Sequence, residues 1–238
     1  MEKIINYDNL RKFAYVSDKL VIGKIKAIML DFMGLGGMAM HDSDFGDAKD
    51  LAKHGIVVVK PYYNPWCWMN KQAVDYTDEI VDVVINKYDL KDVKIISTGL
   101  SMGGLCALVY CAYSKHKVTS CIVNCPVCDL VYHYTERNDL PRTLYSAYYG
   151  FDGTLEEALK AHSPYHIVDK LPKIPYIVFH CNEDNAVSFE KHALPFKERM
   201  INFGHNYKLY KVEGRGHVDL SPYMRNEFFN TIIQQSQD

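Results

Sequence analysis

Short apolar runs alternating with longer segments of helical period limit this chain's folds more than any other feature. The runs lie at Lys26 to Asp31, Gly55 to Lys60, Val93 to Thr98, Thr119 to Asn124, Pro175 to Cys181 and Tyr207 to Val212. Most are rich in Ile, Val, Tyr or Phe and have the length of strands. Helices are expected between them, at about Asp44 to His54, Lys71 to Tyr88, Gly103 to Lys115, Ser188 to Phe203 and Pro222 to Gln235. In the second of these, Val74, Ile80, Val81, Val84 and Ile85 fall largely along one face, as a helix laid against a sheet requires. Ser221 before Pro222 is a start signal, because a serine hydroxyl accepts an orphan amide bond and proline suits the first helical position. The alternation predicts an α/β fold, a mostly parallel sheet flanked by helices. The first 25 residues have room for one or two more strands.

One interval breaks the rhythm. Residues 125–173 are too long for a simple crossover and are read as a cap insertion, with a helix at Leu155 to Ala161 and aromatic residues throughout. With 238 residues and neither repeats nor linker-like stretches, residues 1–238 are read as a single domain including the cap. A net charge of −2 offers no broad positive field for nucleic acid or anionic lipid. Charges interrupt Met1 to Leu20 where a secretory signal needs an apolar stretch, and no apolar run is long enough to span a bilayer. A cytoplasmic location follows as the expectation. Seven cysteines, an odd number partly set in apolar segments, do not suggest a disulfide scaffold.

The chemistry centres on Gly99-Leu100-Ser101-Met102-Gly103, a G-x-S-x-G pattern. It directly follows the strand at Val93 and opens the helix at Gly103, the setting of a nucleophile elbow. A turn that tight strains the serine backbone and leaves no space for side chains at Gly99 and Gly103. Read alone, the same residues could form a glycine-rich turn with an idle serine.

In these residues the sequence resembles the α/β-hydrolase superfamily, from about Ala27 onward, and the resemblance implies an α/β-hydrolase fold with residues in the order serine, acid, histidine. Cys181-Asn-Glu-Asp184-Asn-Ala-Val187 is similar to the family's acid loop, and Glu213-Gly-Arg-Gly-His217 to its histidine loop. Both follow predicted strands, at the sheet edge where α/β proteins place their sites. The resemblance implies Ser101 as nucleophile, His217 as general base and Asp184 as the acid that orients it; Glu183 and Asp129 are the rival acids. A serine hydroxyl needs an imidazole to take its proton, and the imidazole needs a carboxylate to hold its tautomer. Met33-Gly34-Leu35-Gly36-Gly37 resembles the family's His-Gly-x-x oxyanion loop with Met33 in place of the histidine, which implies the amides of Leu35 and Met102 as oxyanion donors.

Other motifs have plainer readings. Cys125-Pro-Val-Cys128 has redox spacing but not a thioredoxin-like setting, and His41-Asp-Ser-Asp44 with Asp47 reads as a solvated loop and acidic helix start rather than a metal site. Gly34 to Met40 fits neither a dinucleotide nor a phosphate loop. No cofactor and no metal are expected.

Within the superfamily, the stretch from Ser163-Pro-Tyr-His166 to Val187 most resembles single-domain relatives of the prolyl oligopeptidase and dienelactone hydrolase groups. The leading expectation is a carboxylesterase acting on short-chain or aryl esters. The alternatives are a serine peptidase acting on short peptides and a catalytically silent α/β-hydrolase-like binding protein. Trp66, Trp68 and Tyr148 are expected to bind substrate, because their loop and the cap should reach the edge that carries Ser101; packing of the cap onto the sheet is the competing reading.

Overall fold

In the computed structural model, which describes residues 4–237, seven strands form one sheet in the order β1-β3-β2-β4-β5-β6-β7. Residues 1–3 and 238, included in the expected domain span and in the stretch read for a signal, lie outside the described residues. The strands are β1 (Ala14–Val16), β2 (Ala27–Phe32), β3 (Ile56–Pro61), β4 (Lys94–Leu100), β5 (Ser120–Asn124), β6 (Tyr176–Cys181) and β7 (Tyr207–Val212). Only β1, paired with β3, runs antiparallel. The apolar runs of the inner strands are nearly unbroken because both sheet faces are covered there, whereas β7 at the edge carries Lys208 and Lys211. Ile28, Leu30, Val57 and Val59 pack on one side, Ala27, Met29, Ile56 and Val58 on the other.

The crossovers are α1 (Gly46–Ala52), α2 (Lys71–Tyr88), α3 (Met102–Tyr113) and α7 (Leu194–Asn202), and α8 (Pro222–Gln237) follows β7. Asn70 caps α2 by accepting the Ala73 amide, and Asp89 ends it in the left-handed conformation. The segment expected as one helix over 188–203 is instead a π-helical turn, Phe189–Ala193, followed by α7. Pro195 lies in the first turn of α7, where its missing N–H costs nothing.

Between β5 and β6 the chain forms α4 (Leu130–Glu136), α5 (Leu140–Ala147) and α6 (Leu155–Ala161). α6 opens with a capping box between Thr154 and Glu157. These helices join the core cluster of α2 and α3 through Leu130, Leu140, Leu144 and Leu159. No helix among the described residues is long and apolar enough to cross a membrane.

Strand order fixes where a site can form. From β2 the chain moves to β3 on one side, then returns across β2 to β4 on the other. Reversal leaves a crevice at the carboxyl ends of β2 and β4, the usual ligand position in open α/β sheets. Phe32 and Gly99 are paired there, so the segments after them emerge side by side.

Candidate active site

Ser101 occupies the turn between β4 and α3 at φ 56° and ψ −125°, a strained backbone for a residue with a side chain. Its surroundings force that conformation. A Cβ on Gly99 would lie 2.3 Å from the Gly103 carbonyl oxygen, and one on Gly103 would lie 2.1 Å from that of Phe32. Gly104 is constrained less tightly, since its Cβ would approach Pro126 Cβ to 2.8 Å. The Ser101 amide donates to the Asn124 carbonyl at 3.0 Å.

Three loops from the ends of β4, β6 and β7 meet at this turn. The Ser101 hydroxyl donates to His217 Nε2 at 2.8 Å, and His217 Nδ1 donates to Asp184 Oδ2 at 2.6 Å. A carboxylate only accepts, so the proton on Nδ1 leaves Nε2 free to take one from serine. Asp184 Oδ1 accepts the Ala186 and Val187 amides at 2.9 and 2.8 Å. Burial acts to raise the Asp184 carboxyl, but the His217 hydrogen bond and the two amides outweigh it and hold it below its ordinary value. The Asp184 side chain is inaccessible to solvent, whereas that of His217 is 27% exposed and can meet a substrate. Glu183 points outward, and Asp129 caps α4 by accepting the Val131 and Tyr132 amides.

The loop after β2 flanks the serine. A Cβ on Gly34 would be 3.9 Å from Ser101 Cβ, so this loop runs beside the serine. Tyr63 donates to the Met33 carbonyl at 3.1 Å, and the Gly36 amide donates to the Pro65 carbonyl at 2.8 Å, so the loop after β3 holds this one in place. The amides of Leu35 and of Met102, the first residue of α3, bond to no other group among the described residues. The helix N-terminus behind Met102 favours negative charge.

The expected substrate-binding residues are placed differently. Trp68 is wholly buried and its indole N–H donates to Thr143 Oγ1 at 3.1 Å; Tyr148, also buried, donates to the Trp68 carbonyl at 2.7 Å. Both fasten the cap to the core, and Trp68 presents no face to a ligand, because its ring area is spent on packing. Trp66 is 41% exposed. A groove of about 570 Å³ between α2 and the cap, edged by Tyr113, Tyr148, Tyr149 and Phe151, includes none of Ser101, His217 and Asp184.

Two further groups of potential ligands lie in the protein, and the first is closed by internal hydrogen bonds. His192 Nδ1 accepts the Cys128 and Asp129 amides, so its proton sits on Nε2 and is donated to Glu136 at 2.8 Å. His133 Nδ1 contacts the same carboxylate oxygen. A metal at His192 Nε2 would need the opposite tautomer, against two N–H groups. Beside the triad, His180 Nε2 donates to the Val187 carbonyl at 2.9 Å, and burial lowers this imidazole to about 4 and keeps it neutral. Cys125 neighbours Cys181 rather than Cys128. The acidic group near His41 is likewise engaged: Tyr15 donates to Asp44, and Arg225 pairs with Asp47. His180, Tyr63 and Asn124 were not singled out from sequence, since a polar residue inside or just after an apolar run reads as core.

The model of the prolyl oligopeptidase family matches residues 63–234, most of the chain. Comparison with curated protein sequences gave no match. Among solved structures, a puromycin-hydrolysing peptidase from Mycobacterium tuberculosis superposes with a TM-score of 0.74 at 14% identity, over 90% of this chain and 34% of its own. An S-formylglutathione hydrolase from Agrobacterium tumefaciens gives 0.69 at 17% identity, over 94% and 88%. A thermophilic esterase from Thermogutta terrifontis, with propionate bound, gives 0.66 at 20% identity, over 93% and 87%. The chain thus spans about a third of the peptidase and most of the two others.

Proposed function

The chain belongs to the prolyl oligopeptidase family, and from that premise we propose that it is a serine hydrolase cleaving short-chain or aryl carboxylic esters through an acyl-enzyme. The observation that carries this reading is the unbroken relay from Ser101 Oγ through His217 to Asp184, at a turn whose strain is maintained by its neighbours. Ser101 attacks the ester carbonyl while His217 Nε2 takes its proton. Asp184, ionised and held by two amides, keeps the imidazole in the working tautomer and stabilises its charge. The Leu35 and Met102 amides receive the oxyanion. His217 then returns the proton to the leaving alcohol, and a water activated by the same imidazole releases the acid. Likeness to the esterase and the formylglutathione hydrolase along most of their own chains supports an ester substrate. The seven free, buried cysteines support a reducing compartment such as the cytoplasm.

Hydrolysis of short peptides is the second reading, favoured by the closer superposition on the puromycin-hydrolysing peptidase. Wild type should be labelled by a fluorophosphonate, and Ser101→Ala should fold normally, resist the label and lose roughly 10⁴-fold or more in kcat. Full turnover in that variant would overturn the nucleophile assignment. Measuring kcat/KM across graded acyl esters, aryl esters and aminoacyl amides separates the two readings, a preference for the amides favouring the peptidase.

A further inference from the structure

Asn124 is the last residue of β5, is 5% exposed, and has no place in the chemistry described above. It nevertheless touches both halves of the site. Its backbone carbonyl accepts the Ser101 amide at 3.0 Å, and its side-chain Nδ2 donates to the Val218 carbonyl at 3.2 Å. Val218 directly follows His217 and has a φ of 55°, an unfavourable setting for a β-branched residue that must be held from outside. One residue therefore fixes the backbone of the nucleophile and the backbone next to the general base.

Its hydrogen-bond balance indicates what Asn124 is for. With Nδ2 on the Val218 carbonyl, Oδ1 is buried without a partner. Such an acceptor is destabilising, and an apolar side chain of similar volume would avoid it. The Val218 carbonyl also accepts the Leu220 amide at 3.1 Å, so losing the asparagine donor would not leave it unpaired. The arrangement is therefore poorly explained by stability, and what it holds is the backbone on either side of the Ser101–His217 pair.

We propose that Asn124 is a positioning residue that sets the Ser101–His217 alignment for the proton transfer by tying the end of β5 to the backbone of both loops. This inference rests on the hydrolase reading, and the experiment separates their failures. Asn124→Leu removes both amide atoms at similar volume; Asn124→Asp keeps the shape but turns an acceptor toward the Val218 carbonyl. Displacement of a reacting group by about 1 Å costs on the order of a hundredfold. Both variants should lose roughly ten- to a hundredfold in kcat with KM within about threefold, and react with the fluorophosphonate more slowly by a similar factor. The labelling rate constant is taken per reactive site, so a reduced folded fraction does not alter it. The thermal midpoint of Asn124→Leu should stay within about 4 °C of wild type. If Asn124→Leu does not fold, Asn124→Asp carries the same kinetic test. Wild-type kcat and labelling rates in the folded variants would overturn the positioning role, as would a rise in KM with kcat unchanged. Wild type that neither labels nor turns over esters or amides would overturn the hydrolase reading itself.

Discussion

The turn at Ser101 and the cap between β5 and β6 cover the same sheet edge but are built on opposite terms. At the turn, strained backbone is enforced by contacts: glycines 99, 103 and 104 stand where any Cβ would collide. The cap has short helices, two of them with ordinary side-chain caps, and it meets the core through apolar packing and a few polar ties, Trp68 to Thr143, Asn70 to the Ala147 carbonyl and His192 to Glu136. Its outer aromatics, Tyr145 and Tyr149, are 57% and 80% exposed. The contrast teaches that atomic positions near the reacting serine are over-determined, while the surrounding walls are free to vary.

Substitutions can break that contrast. Next to Ser101→Ala, Asp184→Asn should have the largest effect on chemistry, roughly 10⁴-fold in kcat, because the amide favours the wrong imidazole tautomer. Asp129→Asn should cost no more than a helix cap, and comparing the two kcat values is the check. Gly103→Ala should lower stability by about 4 kcal/mol or more, since its methyl group meets the Phe32 carbonyl. Denaturant unfolding of that variant within about 1 kcal/mol of wild type would show the turn to be looser than described.

Effects on the cap should be smaller. Glu136→Ala leaves the ring N–H groups of His133 and His192 without their acceptor, a loss of about 2 kcal/mol, seen as a thermal midpoint about 4–8 °C lower. Burial tends to raise the Glu136 carboxyl, yet the two imidazoles bring it down to about 2 from an ordinary 4.5. A depressed carboxyl adds stability above its unfolded value and loses it as pH falls through the folded one, here between about 4.5 and about 2. His133, lowered by burial, also resists protonation in the folded state and adds to acid sensitivity. Melting curves through that window should fall more steeply for wild type than for Glu136→Ala. Tyr149→Ala should do least, within about 0.5 kcal/mol in unfolding. Selectivity that shifts strongly among acyl esters in this variant would make the outer cap part of the binding wall.

Legibility in the sequence follows the same division. Helix α2, helix α6 and strand β7 lie where the residue pattern places them, and the remaining long strands shift by only one or two residues at either end. Strands enclosed on both faces are continuous apolar runs, so burial writes them into the sequence. Helices α4 and α5 were not foreseen, because seven or eight residues dense in Tyr, His and Thr show too few turns for a helical period to emerge. Ser101, Asp184 and His217 stand out because each follows a strand in a recognisable order, and the fold brings the three side chains within hydrogen-bond distance. The positions of Trp68 and Tyr148 depend on how the cap rests on the core, and no local pattern encodes that packing.

The two partners in the proposed proton transfer hang from very different parts of the sheet. Ser101 follows β4, bonded on both sides by β2 and β5, whereas His217 follows β7, an edge strand paired only with β6 and only half-buried. Amide exchange should therefore be slow in β4 and fast in β7, since edge hydrogen bonds open without disturbing the rest. On warming or in mild denaturant, the histidine would leave the serine while most of the sheet remained protected. Inactivation would then precede global unfolding, and the last working temperature would be set by one strand rather than by the whole fold.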